Sequence, residues 1–234
     1  LFQNDVRFKK LALLVIDEQH RFGVHQRLAL KEKGVLPGQQ PHQLVMTATP
    51  IPRTLAMTAY ADLDFSVIDE LPPGRKPITT LLMSNQRRDE VIKFVQRNNK
   101  KGYQTYWVCT LVEESEALQC RAAEKTAEAL QEQLKTVRVG LIHGRMKSDE
   151  KEQLMTAFKQ QEIDLLVATT VIEVGVDVPN ANLMIIENPE RLGLAQLHQL
   201  RGRVGRSDIA SYCVLLYQSP LSEAAQRRLT IMRT

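Results

Sequence analysis

Short apolar runs of strand length recur along this chain, and stretches with helical periodicity separate them. The runs are Leu11–Ile16, Gln43–Met46, Phe65–Ile68, Ile78–Met83, Thr105–Cys109, Val137–Ile142, Ile163–Ala168, Leu183–Ile186 and Cys213–Tyr217. Several are apolar throughout instead of alternating, which is the pattern of strands buried on both faces. Strands that alternate with helices give an α/β fold built on parallel sheets with helices on both faces.

The helical stretches carry their own punctuation. One reaches Lys33, with Gly34 as its cap. Pro52 sits in the first turn of another, where its missing N–H costs nothing, and that helix runs to about Ala61. Arg88–Asn98 is helical. Ser115 is expected to cap a long helix reaching Leu134, and Ser148 the next one, with Asp149 and Glu150 favourable in its first turn. Leu192–Leu200 is amphipathic. The segment from Pro72 to Pro77 breaks all periodicity and reads as a linker. The expected organisation is a domain over 1–71, a linker over 72–77, a second domain over 78–218 and the start of a helical hairpin over 219–234. The chain opens inside an ongoing pattern and ends with helical character at Arg227–Met232, so it is expected to be part of something longer.

The run Gln199–Arg206 reads Gln-Leu-Arg-Gly-Arg-Val-Gly-Arg and follows the amphipathic helix directly. Arginine presents a planar fork of donors that matches phosphate oxygens, and glycine lets backbone approach a bound group closely. Three polar clusters follow apolar strands: Asp17-Glu18, Thr47-Ala48-Thr49 and Thr169-Thr170. Strand ends are where open α/β sheets build sites. An acid there can hold Mg²⁺ through water, and a second acid can orient or deprotonate an attacking water. Arginines from another element can stabilise a transferring phosphoryl group, an effect of roughly 10³–10⁵ in rate. Acids before the linker and arginines after it suggest a nucleotide site between two domains.

Composition sets limits on partners. The net charge of +4 permits a nucleic acid without requiring one, since a local patch matters more than the total. No apolar run approaches membrane-spanning length. The cysteines, Cys109, Cys120 and Cys213, form no metal-like cluster, and their odd number argues against a disulfide framework. A cytoplasmic monomer with no membrane partner is expected.

Taken together, these strings resemble the paired RecA-like motor of superfamily 2 helicases. Asp17-Glu18-Gln19-His20 is similar to the Walker B box of that superfamily, and Thr47-Ala48-Thr49-Pro50 to its motif III. Ala168-Thr169-Thr170 through Gly175-Val176-Asp177 is similar to motif V, and residues 199–206 to motif VI. Four motifs in the right order and spacing form a strong signal. Within the superfamily, Asp17–Leu30, Thr47–Tyr60 and Ala168–Arg206 look most like bacterial motors that remodel branched DNA in repair and recombination.

The resemblance implies two RecA-like domains, the first incomplete and the second complete, with ATP and Mg²⁺ as cofactors and branched DNA as partner. By position it implies Asp17 as the Mg²⁺-side acid and Glu18 as the water-activating base. Gln19, His20, Thr47 and Thr49 would contact the nucleotide or relay its state. Gln199, Arg203 and Arg206 would face the ATP phosphates, with the two arginines as fingers, and Gly175 and Asp177 would lie near the nucleotide or its coupling network. His143, Arg145, Thr169 and Thr170 would contact the DNA backbone. One departure stands against the matches: no Gly-x-x-x-x-Gly-Lys-Ser/Thr loop occurs in these 234 residues. The chain is therefore expected to be inactive alone. Two other readings stay open, a motor of the transcription-repair coupling type and a non-catalytic remnant that binds nucleic acid or protein.

Overall fold

The computed structural model describes residues 6, 8–18, 41–47, 64, 66–70, 72–110, 116–170 and 177–233. The chain divides into two compact units, Leu1–Ile68 and Asp69–Thr234. In the first, β1 (Leu13–Ile16) and β2 (His42–Val45) run parallel, with Leu13 opposite His42 and Ile16 opposite Val45. Ile16 is buried, whereas Leu13, Val15, Leu44 and Met46 stay exposed. The helices expected before Gly34 and after Pro52 lie outside the described residues. The strand expected over Phe65–Ile68 is corrected: Phe65 lies outside the described residues, and Ser66, Val67 and Ile68 are irregular and exposed. A strand needs a ladder partner, and no described strand pairs with this segment.

The second unit is a six-stranded, fully parallel sheet. Its strands are β3 (Thr79–Ser84), β4 (Gln104–Cys109), β5 (Val139–Ile142), β6 (Leu165–Ala168), β7 (Ala181–Glu187) and β8 (Tyr212–Tyr217). They lie side by side in the order β3-β8-β7-β4-β6-β5. Five helices complete it: α1 (Arg88–Asn99), α2 (Glu116–Gln133), α3 (Ser148–Lys159), α4 (Leu194–Arg201) and α5 (Glu223–Arg233).

Period-two alternation along the buried strands assigns each side chain to a face. Trp107, Val167, Leu183, Ile185 and Val214 pack with Val91, Ile92 and Val95 of α1 and with Ala127 and Leu130 of α2. Tyr106, Leu166, Met184, Ile186 and Leu215 pack with Phe158 of α3, Leu197 of α4 and Leu229 of α5. Both faces of the sheet are thus covered, which is why its central strands read as unbroken apolar runs.

Several boundaries shift by one or two residues from expectation, the start of α3 among them. Ser148 is the first helical residue of α3, not its cap. Lys147 takes the extended cap conformation, and its backbone N–H donates to the Glu150 carboxylate at 3.0 Å. The Ser115 cap lies outside the described residues. The C-terminal tail, expected as the start of a hairpin, forms α5, and Leu229 and Met232 of α5 are buried in the second unit's core.

Phe158 is fully buried and meets Tyr106 edge-to-face at 4.9 Å between centroids. Phe158→Ala is expected to cost about 3–5 kcal/mol of stability. Trp107 is the single tryptophan and is buried in the same unit, so its fluorescence during urea unfolding reports the loss.

Candidate nucleotide and nucleic-acid site

In the first unit, Asp17 and Thr47 follow paired strands at the same end. The Met46 backbone N–H donates to the Ile16 carbonyl at 2.8 Å, which keeps the two strand exits in step. Asp17 is exposed, and its carboxylate accepts the Glu18 backbone N–H at 2.9 Å. Glu18 has φ +50°, in the left-handed region that costs an L residue roughly 1–2 kcal/mol. A residue strained in this way just past a strand end is the kind that functional sites retain. Gln19, His20 and Thr49 lie outside the described residues.

In the second unit the motif VI run begins on α4 and leaves it at Gly202. Gln199 is half-buried on the helix. Arg201 turns inward: its guanidinium donates to the Met232 carbonyl at 3.1 Å and reaches the Thr80 hydroxyl at 3.5 Å, joining α4 to α5 and β3. It also contacts His198 at 3.1 Å, and burial together with this cation lowers the His198 pKa. Arg201 is thereby committed to structure.

Arg206 is held differently. It forms an ion pair with Asp177 at 3.2 Å and donates to the Gly202 carbonyl at 3.3 Å. The Ser207 hydroxyl donates to the Pro179 carbonyl at 3.1 Å, a second tie between the Asp177 segment and the arginine loop. Arg203 is half-buried in the same loop. Charges of Arg203, Arg206 and Asp177 all reach the Tyr106 hydroxyl, whose pKa is raised chiefly by burial, with the two arginines pulling it down. The ion pair therefore joins Asp177 directly to Arg206, with Arg203 in the same loop. Gly175 lies outside the described residues.

The second set sits elsewhere on the sheet. His143 begins the turn after β5, closed by the Met146 N–H to the His143 carbonyl at 3.3 Å and steadied by Lys151 donating to the Gly144 carbonyl at 2.7 Å. This turn leaves Arg145 exposed. His143 Nε2 lies 3.7 Å from the Glu124 carboxylate of α2, while its buried Nδ1 has no hydrogen-bond partner among the described residues. Thr169 and Thr170 follow neighbouring β6. Thr169 is buried with its hydroxyl lacking a hydrogen-bond partner among the described residues, and Thr170 is half-buried.

These residues follow the C-terminal ends of β5 and β6. The arginine loop lies at the opposite end: Gly205 packs against Ile78, just before β3, and Ser211 just before β8. Sequence spacing did not separate the two ends; the antiparallel return of α4 does. Sequence reasoning also missed Arg75, assigned only to the linker. Its guanidinium donates to the Gly205 carbonyl at 2.7 Å.

Of the basic tail, Arg228 turns inward to the Glu190 carbonyl, and Arg227 is exposed, 3.7 Å from the Glu223 carboxylate. No group of three metal-ligating side chains occurs among the described residues. Mg²⁺ needs none when waters and nucleotide phosphates supply most of its ligands, so the exposed Asp17 is compatible with it.

Comparison with known proteins places this geometry in a family. Residues 80–208 match the model of the helicase conserved C-terminal domain. Over all of its 234 residues the chain is 68% identical to the ATP-dependent DNA helicase RecG of Escherichia coli O127:H6 and covers 34% of that protein. It is 64% identical to the RecG of Haemophilus influenzae, again covering 34% of it. The chain thus spans about a third of the length of the curated relatives it matches. Among solved structures, one described as RecG bound to a three-way DNA junction matches the whole chain at 45% identity, with a TM-score of 0.78 over 29% of that chain. The chain belongs to the helicase conserved C-terminal domain family, whose model matches more than half of its residues.

Proposed function

We propose that these residues form part of an ATP-driven DNA motor of the RecG type, which remodels branched DNA during repair and recombination. The observation that carries this reading is the unbroken similarity to RecG along the whole chain, across both the acids of the first unit and the arginines of the second.

In the full protein, Asp17 would hold Mg²⁺, which would neutralise charge at the phosphates, and Glu18 would accept the proton of the attacking water. Gln199, Arg203 and Arg206 meet the phosphates and offset the charge that develops on transfer. Asp177 keeps Arg206 aligned before the nucleotide arrives. Gln19, His20, Thr47, Thr49 and Gly175 contact the nucleotide or pass its state to DNA-contacting elements. His143, Arg145, Thr169 and Thr170, at the other end of the sheet, hold the DNA backbone. The protein works as a cytoplasmic monomer.

The test is strand separation by the full-length protein on a labelled three-way junction and on a linear duplex of equal base composition. ATP-dependent resolution of the junction, with little action on the linear duplex, is expected. Indifference to branching would contradict the reading.

A motor must move over any sequence, so its contacts go to phosphates, which position without specifying. Arg145→Ala is expected to weaken binding equally on unrelated DNAs and to flatten the salt slope by about one unit or less. Fluorescence anisotropy at several salt concentrations, on two DNAs of different sequence, measures both.

A further inference from the structure

We propose that Arg75 is a positioning residue for the phosphate-binding arginines, acting through the peptide that joins Gly205 to Arg206. The inference rests on the reading that Arg206 acts on ATP.

The segment before β3 grips this peptide from two sides. Pro73 and Gly74 are the central residues of a tight turn, with Gly74 at φ +82° and the Arg75 N–H donating to the Pro72 carbonyl at 3.1 Å. That is a type II turn, which requires the positive φ at its third residue. The turn fixes where Arg75 leaves the backbone, and its Nε donates to the Gly205 carbonyl at 2.7 Å. Three residues later, Ile78 packs against the Cα of Gly205, where an added Cβ would come within 2.8 Å of Ile78 Cγ1. Gly205 itself has φ +73°, so glycine is needed there both for conformation and for space.

The carbonyl that Arg75 holds belongs to the same peptide plane as the Arg206 N–H. Holding that plane sets the direction in which Arg206 leaves the chain toward Asp177. A charge-assisted bond in a half-buried setting is a firm constraint. Catalytic groups displaced by about 1 Å lose roughly 10²-fold in rate, so a lost tether has a kinetic effect even where Arg206 itself is intact. Arg75 lies far from the motif in sequence and belongs to no phosphate motif, which is why it escapes a motif search.

The experiment uses the full-length protein with Arg75→Ala, Arg75→Lys, Arg206→Ala and, as a control, Lys76→Ala at the exposed neighbouring residue. Hydrogen–deuterium exchange of residues 203–211 is followed without nucleotide, and kcat and KM for ATP are measured with branched DNA. Arg75→Ala is expected to speed exchange in this segment about fivefold, the scale of one lost hydrogen bond. It is expected to lower kcat about tenfold while KM stays within about twofold. Arg75→Lys, which keeps a donor on a long stem, should recover most of the protection, and Lys76→Ala should match the wild type. Unchanged exchange and kcat in Arg75→Ala, beside a collapse in Arg206→Ala, would overturn the inference and leave the functional reading intact. Undiminished turnover in Arg206→Ala would instead overturn the functional reading, and with it the role given to Arg75.

Discussion

Arg206→Ala in the full-length protein is expected to lower DNA-stimulated ATP turnover by about 10³-fold or more, the lower end of the range for arginine fingers. The loss should appear in kcat, because the guanidinium is worth most when charge builds up in the transition state. The ion pair supplies an internal control. Asp177 lies 3.2 Å from Arg206, so alanine removes the cation and also leaves Asp177 without this partner. Asp177→Asn keeps the shape and removes only the charge that aligns the arginine. It should cost far less, about tenfold. Steady-state hydrolysis with saturating branched DNA measures both. Equal losses in the two variants would mean that the pair is a structural brace and that Arg206 does not reach the phosphate.

Glu18→Gln is expected to keep ATP binding and to stop hydrolysis, with turnover falling roughly 10²–10⁴-fold, the contribution of a positioned general base. The amide preserves volume and hydrogen bonding but cannot accept the water's proton. Single-turnover hydrolysis, with fluorescent-nucleotide binding measured in parallel, separates the two effects. The φ of +50° at Glu18 adds a second expectation: Glu18→Gly should relieve the backbone strain, so stability should hold or rise as activity disappears.

Much of the second unit was legible because its strands are buried on both faces. Leu165–Ala168 and Cys213–Leu216 are apolar without interruption, and burial on both faces is what such a run means. The segment 65–68 was misread for the matching reason. Val67 and Ile68 satisfy a hydrophobicity pattern, but a strand is defined by its ladder, and nothing in a four-residue run reveals whether a partner exists. Ser148 was misplaced by one position because Glu150 captures the N–H of Lys147, so side-chain preference at the cap lost to a competing hydrogen bond.

The candidate site was legible as motifs and not as an arrangement. The pairing of Asp177 with Arg206 joins residues 29 positions apart, and only the return of α4 to the start of β7 brings them together. The inward role of Arg201 is likewise a packing outcome: it ends on the Met232 carbonyl of α5, whereas Arg203, two residues on, lies beyond the helix. Arg75 had a faint signal. Pro73-Gly74 is a type II turn signature, and a rigid turn presents the next side chain at a fixed place. Its partner, the Gly205 carbonyl, could not be read from composition.

We propose that Glu18 and Arg206 both act in ATP turnover by the full-length protein. A double-mutant cycle on the full-length protein tests it most directly, with turnover measured for the wild type, Glu18→Gln, Arg206→Ala and the double variant. Groups acting on one reacting centre are strongly non-additive. The double variant is expected to be about as slow as the slower single variant. Two losses that multiply would place the residues in independent roles and contradict the proposal.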